Sequence, residues 1–295
     1  MALKIRRLHP TAGGEVTGTI DLNRVTGEAE LAAIRAAMDE YAVLVFHDQP
    51  FDNDGQTAFA QRLDGELHTK TGTAALQPNR FKNEAISDIS NVDAEGQLLD
   101  ANDRRRLFGL ANRLWHTDAS FQDPAGRYSM LSARIVPNVP ADTQFADMRA
   151  AYDALPDEQK ARLEGLSVHH SIAYSRQRLG FELTQKEQEI LAGAYHPLVR
   201  QNPRTGRKSL YLASHASMIV GWPVPEGRML LHELMEHATR PQFVFSHRWR
   251  AGDLVIWDNL ATMHRATSFD DRKHVRDMRR VTSLDIERGA TARVA

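Results

Sequence analysis

A mainly β fold with helical insertions, a sandwich or barrel, is what this 295-residue sequence predicts. Three observations carry that expectation. Short apolar, β-branched runs are set off by turn residues, as where Ala251-Gly252-Asp253 precedes Leu254-Val255-Ile256-Trp257. Helical periodicity is confined to a few segments that interrupt these strand–turn–strand units, whereas a parallel βαβ sheet requires regular alternation. No glycine-rich phosphate loop is present, so nucleotide-binding folds lose support. With no repeat, low-complexity tract or dividing linker, one domain over 1–295 is expected.

Residues 42–46 (Ala-Val-Leu-Val-Phe) read as a buried strand. Asp52, followed by Asn53, Asp54 and Gly55, ends that run and caps a helix reaching about residue 63. Residues 68–80 mix Lys, Thr, Gly, Gln, Pro and Asn without any period, and a loop of this length is expected to serve as a lid over a site. Residues 86–92 and 128–136 read as strands. A short strand at 145–148 runs into one helix over 149–166, with Ala150, Tyr152, Leu155, Leu163 and Leu166 as its apolar positions. Further on, 208–213 is a strand, and 225–239 is an amphipathic helix opened by Pro225 and Glu226, with Met229, Leu230, Leu234 and Met235 inward. Phe243, Phe245, His247 and Trp249 fall on one side of an alternating strand, and His247 is expected to be a satisfied core residue. His169 and His170 are expected to be structural.

Thirty-seven basic against 38 acidic residues leave a formal net charge of −1, which argues against a general nucleic-acid binder. No apolar run nears the roughly 18 residues of a spanning helix. Residues 1–10 lack the apolar core of a secretion signal. A cytoplasmic protein without membrane contact, assembled as a homo-oligomer, is expected. The absence of Cys excludes disulfides, thiolate metal sites, iron–sulfur clusters and cysteine nucleophiles. Thirty of the 37 basic residues are Arg, whose bidentate fork suits an acidic small molecule, although Arg-favouring codon usage gives the same count.

The chemistry centres on Trp115-His116-Thr117-Asp118. On a strand, residues two apart share a side, so His116 and Asp118 can reach one metal ion. A third ligand from elsewhere would complete the two-His, one-carboxylate facial triad of non-haem Fe(II) oxygenases. Composition alone predicts about one His-x-Asp in such a chain, so the pair by itself carries no weight. His264 follows the 254–257 strand, and Arg276 and Arg280 lie in Val275-Arg276-Asp277-Met278-Arg279-Arg280. If 276, 278 and 280 share a strand face, two Arg point into one cavity, with Arg280 about 13 Å further along, toward its mouth. The rival is a solvated edge strand. The same three ligands would also serve a zinc hydrolase, and a β-fold binding module without chemistry is the third reading.

His116-x-Asp118, Asp142-Thr143, Trp257-Asp258-Asn259, His264 and Arg276 together resemble the TauD/TfdA family of Fe(II)/2-oxoglutarate-dependent dioxygenases, over residues 8–284. Segments 79–82, 88–92, 125–133, 147–156 and 225–239 are most similar to its aryloxyacetate-cleaving branch. The resemblance implies a double-stranded β-helix, a cupin-like jelly-roll barrel. It implies His116, Asp118 and His264 as Fe(II) ligands, with O₂ and 2-oxoglutarate as co-substrates. Thr143 and Arg276 would hold the distal carboxylate of 2-oxoglutarate beside Trp257. Arg280 would lie close to the acidic group of a small anionic aromatic substrate such as 2,4-dichlorophenoxyacetate, or to the proximal carboxylate of the co-substrate; His215 matches the family as a substrate contact, and Lys70 in the lid loop and Asn112 are further candidate contacts. Hydroxylation next to the ether oxygen would release a phenol and glyoxylate, and a sulfonate or alkyl sulfate is the family alternative. The sequence departs from the pattern twice. Pro140-Ala141 replaces Gly-Gly before Asp142-Thr143, and Asn202 stands where the aryloxyacetate enzymes have His.

Overall fold

The computed structural model describes residues 3–69, 80–81 and 83–286. Its largest sheet runs, in spatial order, Lys4–Arg7, Gly14–Thr17, Val43–Phe46, Leu254–Asp258, Gly126–Ile135, Asp277–Leu284 and Ser87–Ser90. A second sheet consists of Val244–His247, Thr143–Asp147 and Thr262–Ala266. The pairings are antiparallel apart from that of Gly14–Thr17 with Val43–Phe46. The two sheets pack face to face: Val43, Val45, Leu131, Val255, Trp257 and Met278 of the larger share one buried cluster with Phe145 and Phe245 of the smaller. This is the jelly-roll arrangement, mainly β with helical insertions. Among the described residues the two sheets remain separate, so hydrogen bonding closes no barrel.

Strand alternation explains both faces of the larger sheet. Val43 and Val45 face the smaller sheet, whereas Leu44 and Phe46 face outward. There they meet Leu31, Ile34 and Met38 of the helix Glu28–Tyr41, and Phe59 and Leu63 of the helix Asn53–Asp64. Asp52 caps the latter helix as expected, its carboxylate accepting from Gly55 N at 2.7 Å. The smaller sheet is backed by Met148, Tyr152, Leu230 and Leu234, from helices Met148–Asp153 and Val224–Ala238.

Several elements differ from the sequence expectation. The helix over 149–166 is two helices, Met148–Asp153 and Asp157–Leu163. Pro156 lies between them, and a proline both lacks an N–H and pushes the residue before it out of the helical region. The strand over 208–213 stops at Leu210, after which the chain turns so that Ser214 N donates to Trp115 O at 2.8 Å. His247 is bonded as expected, Nε2 lying 3.1 Å from Asp253 Oδ2. Asn202 lies away from the cavity described below, donating to Asp39 Oδ1 and accepting from Arg204 N, so the missing His there leaves the site untouched. Residues 70–79, most of the expected lid loop, and with them Lys70, lie outside the described residues. No helix among those described is long and apolar enough to cross a membrane.

Candidate metal centre and its cavity

His264 lies mid-strand in Thr262–Ala266, opposite Phe145. His116 pairs with it through reciprocal backbone bonds of 3.0 and 2.8 Å. The expected strand through His116 and Asp118 reduces to this single bridge, and the chain turns at Asp118. The turn fits because Gly126 abuts it: a Cβ at 126 would stand 2.9 Å from Asp118 O. Asp118 is then fixed by three neighbours. Its N–H donates to Asn259 Oδ1 at 3.1 Å, Ser129 Oγ donates to its Oδ2 at 2.8 Å, and Arg280 Nη1 donates to its Oδ1 at 2.5 Å.

The ligand atoms of His116, Asp118 and His264 all lie within 4.8 Å of one another. His116 Nδ1 sits 2.7 Å from Leu114 O, and a carbonyl only accepts, so Nδ1 carries the proton and Nε2 keeps its lone pair. Burial depresses the pKa of both imidazoles, His264 well below its ordinary value, which keeps them neutral and able to ligate. Burial pushes the Asp118 carboxyl up, but the Arg280 guanidinium, aided by the hydrogen bond from Ser129, outweighs it and holds Asp118 ionised. His264 Nδ1 is buried without a hydrogen-bond partner among the described residues, and its ring is held between Trp257 and Phe145, with centroids 4.6 and 6.0 Å away. Two neutral imidazoles and one carboxylate form a donor set for a divalent transition metal with coordination positions to spare.

A cavity of about 250 Å³ opens onto this triad, and Thr143, Trp257, Arg276, Arg280, His215 and Asn112 also line it. Arg276 precedes the strand Asp277–Leu284, and a register irregularity between Asp277 and Met278 separates it from Arg280. Buried Arg276 has no carboxylate partner among the described residues, and burial alone pushes its pKa down to about 10. Thr143 accepts from Trp249 Nε1 at 2.9 Å. Arg280 sits beside Asp118, at the triad, where the sequence expectation had it near the mouth. His215 is buried 6.1 Å, ring to ring, from His116.

Three residues of this site escaped the sequence reading. Ser129 joins Asp118 to Thr282, whose hydroxyl is 2.9 Å away, and the inward alternation shared with Leu131 was a usable signal for it. Phe121 packs edge-on to His215 with centroids 5.3 Å apart. Arg176 lines the cavity while stacked over Phe108 at 4.1 Å, and nothing local distinguishes it from the other arginines.

Known proteins are similar to this chain in both sequence and fold. The chain is 44% identical over 285 residues to an alpha-ketoglutarate-dependent 2,4-dichlorophenoxyacetate dioxygenase of Burkholderia sp., covering 96% of this chain and 95% of that one. It is 36% identical to the (S)-phenoxypropionate/alpha-ketoglutarate-dioxygenase of Sphingobium herbicidovorans, covering 91% of each. Among solved structures it is similar to AAD-2 in complex with Mn(II) and N-oxalylglycine, with a TM-score of 0.91, 44% identity, and coverage of 96% of this chain and 98% of that one. The family model of the taurine catabolism dioxygenase TauD, TfdA family matches residues 4–282, and the chain belongs to that family.

Proposed function

We propose that this chain is an Fe(II)- and 2-oxoglutarate-dependent dioxygenase that hydroxylates the carbon next to the ether oxygen of an aryloxyacetate. The products are a phenol and glyoxylate, with succinate and CO₂ from the co-substrate. One observation carries the reading: the His116–Asp118–His264 cluster opens onto a cavity in which the buried Arg276 guanidinium has no counter-ion among the described residues. A hydrolase needs no such second anion site, whereas a keto diacid that chelates a metal at one end presents a carboxylate at the other. The 2,4-dichlorophenoxyacetate dioxygenase at 44% identity supports the choice of substrate.

Bound at the triad, Fe(II) supplies O₂ activation and hydrogen abstraction, driven by oxidative decarboxylation of 2-oxoglutarate. The chain's own residues do the rest. His116 and His264 offer lone pairs because burial keeps them neutral. Arg280, Ser129 and Asn259 hold Asp118 in one orientation. Arg276 and Thr143 take the distal carboxylate, and Trp257 fixes the His264 ring. His215, Asn112 and Lys70 belong to the proposed substrate contacts. The hydroxylated product is a hemiacetal, which collapses without further help from the protein.

A cytoplasmic location and a homo-oligomeric assembly are part of the proposal. The absence of cysteine supports the first. Exposed Val220, Val224 and Met229 around the start of the helix Val224–Ala238 support the second. Light scattering tests the assembly. The activity is tested by loading the protein with Fe(II), adding ascorbate, 2-oxoglutarate and 2,4-dichlorophenoxyacetate in air, and measuring both products. Phenol and succinate in equal amounts are expected, with no turnover when Zn(II) replaces iron. Succinate without phenol across a panel of aryloxyacetates overturns the substrate, and turnover of a sulfonate alone moves it to the sulfonate class.

A further inference from the structure

A hydroxyl can donate to an anion only if its proton points at it, and at Thr143 a neighbour outside the cavity settles that direction. Thr143 opens the strand Thr143–Asp147, is 3% exposed, and lines the cavity together with Arg276. Its side-chain oxygen carries one proton and two lone pairs. One lone pair accepts from Trp249 Nε1 at 2.9 Å. An indole nitrogen only donates, so the Thr143 proton cannot point back along that line. Among the described residues it finds no acceptor of its own. A buried donor without an acceptor, in the wall of a cavity, is matched by an acceptor inside it.

Trp249 is not part of the cavity wall. Its ring is buried between the two sheets, in the cluster that holds Leu131, Val255 and Met278. Two residues earlier, His247 ends the strand Val244–His247 directly opposite Thr143. The His247 imidazole stands edge-on to the indole, with centroids 4.7 Å apart and an interplanar angle of 85°. Its Nε2 donates to Asp253 Oδ2 at 3.1 Å, and the same oxygen accepts from Arg250 N at 2.9 Å. His47 Nδ1 donates to the other oxygen, Oδ1, at 2.6 Å. Buried Asp253 therefore holds the turn after the strand from both sides, and through His247 it holds the angle at which the indole meets Thr143. A group pinned in this way orients what it touches before any ligand arrives.

We propose that Trp249 is a positioning residue for the co-substrate: by occupying one lone pair of Thr143, it presents the Thr143 hydroxyl as a donor toward the carboxylate that Arg276 takes. The inference rests on the 2-oxoglutarate site proposed above. The chemistry recognised is the acid at the end of a keto diacid remote from the metal. A keto acid that ends in a methyl group gains nothing from the arrangement. His247 and Asp253 act one step further out, through the indole.

The test separates the two ends of the co-substrate. 2-Oxoglutarate and 2-oxopentanoate share the metal-chelating keto acid and the chain length, and only the first ends in a second carboxylate. Their Kd values are measured on Mn(II)-loaded wild type, Trp249→Phe, Thr143→Val and the double variant. Wild type is expected to bind the diacid more tightly. Trp249→Phe keeps an aromatic ring and removes the N–H. It should weaken 2-oxoglutarate by about 3- to 10-fold, the worth of one hydrogen bond between neutral groups, and leave 2-oxopentanoate unchanged. The double variant should bind 2-oxoglutarate no more weakly than Thr143→Val alone, because Trp249 acts through that hydroxyl. If Trp249→Phe does not fold, NMR of the indole N–H groups reads the same contact, since the chain has only four Trp. In Zn(II)-loaded protein one indole signal should move in Thr143→Val, and the same signal should move in wild type on adding 2-oxoglutarate but not 2-oxopentanoate. Equal weakening of both keto acids, additive losses in the double variant, or no indole signal that responds in both ways overturns the role of Trp249 while the co-substrate site stands. A wild type that binds the two keto acids alike removes the site itself, and the positioning role with it.

Discussion

Arg276 and Arg280 both line the cavity, and Arg280 meets the Asp118 carboxylate. Arg280 compensates Asp118, so removing it leaves a buried carboxylate without its counter-ion. Arg280→Gln should therefore lower the thermal midpoint of the metal-free protein and enlarge the stabilisation produced by Mn(II), because a bound dication restores the lost charge. Scanning fluorimetry with and without Mn(II) reads both effects, and equal metal shifts in variant and wild type argue against this role. His116→Ala, Asp118→Ala and His264→Ala should each lose most of that shift and all turnover while remaining folded; full activity in any one removes it from the triad. Arg276→Ala should raise the 2-oxoglutarate KM by about 30-fold or more, corresponding to roughly 2–5 kcal/mol for a carboxylate left unpaired in a buried site. Equal rises in both KM values would make Arg276 structural. The sequence exposes these residues unevenly. His116 and Asp118 are visible as a pair because two ligands lie two residues apart. His264 and Arg276 can be noted as candidates from their strands, but their roles become legible only through the family resemblance, since His116 and Thr143 lie more than a hundred residues away. Arg176 shows no local sign at all, because what marks it is that no acid neighbours it in space among the described residues.

At the scale of elements, the helix Asn53–Asp64 does more than cover the larger sheet with Phe59 and Leu63. Gln56 on that helix is fully buried and donates from Nε2 to Met130 O and Arg279 O, both at 3.0 Å. Its Oε1 accepts from Ser132 Oγ at 2.8 Å. One side chain thereby ties the helix to two adjacent strands, one carrying Ser129 and the other Arg280 and Thr282. Gln56→Leu fills similar space but strips all three partners, and should cost on the order of 3 kcal/mol. Asp52→Ala, which removes only an exposed cap, should cost about 1 kcal/mol and leave activity unchanged. Urea unfolding of the two variants measures the difference; similar losses in both would deny Gln56 its bridging role. The helix itself was readable, since Asp52 and the apolar spacing after it are local signals. Gln56 was not, because an isolated polar side chain on a helix ordinarily reads as solvent-facing. Strands such as Val43–Phe46 and Leu254–Asp258 announce themselves by continuous burial-prone side chains. The small sheet of Ser167–His170, Ala194–Pro197 and Ala216–Ile219 went unread, because its short strands carry Ser, His and Tyr in place of an alternating apolar pattern. At Pro156 the local signal was present, and the apolar spacing on either side of it outweighed it.

Across the whole molecule, the buried titratable groups set how the protein responds to acid. His68 and His196 are pushed down to about 4, chiefly by burial, and His170 and His215 lie well below their ordinary value for the same reason. Their ordinary value is 6.5, so above that pH folded and unfolded chains alike carry them neutral, and their contribution to stability is complete. As pH falls below 6.5 the unfolded chain takes up protons that the folded chain refuses, and stability is lost progressively toward pH 4. For His68 and His196 the loss is on the order of 3 kcal/mol each. Asp64 works in the opposite direction. Burial lifts its carboxyl from 3.8 to about 6 against the donor Ser283, so between those values the folded chain holds a proton that the unfolded chain has released. Stability from Asp64 therefore rises as pH falls through about 6, by an amount similar to that of one histidine. His116 and His264, depressed by burial in the same way, and the lowered carboxyls of Asp118 and Asp253 add to the loss, so Asp64 is outweighed and acidification brings a net loss. Guanidinium unfolding midpoints, measured with a chelator so that metal release does not contribute, should be lower at about pH 5 than at about pH 7.5. Asp64→Asn should raise the midpoint at about pH 7.5, where the wild type carries a buried charge, and steepen the decline toward acid by removing the opposing group. A midpoint that stays level or rises between those two pH values would mean that the buried histidines are protonated in the folded protein.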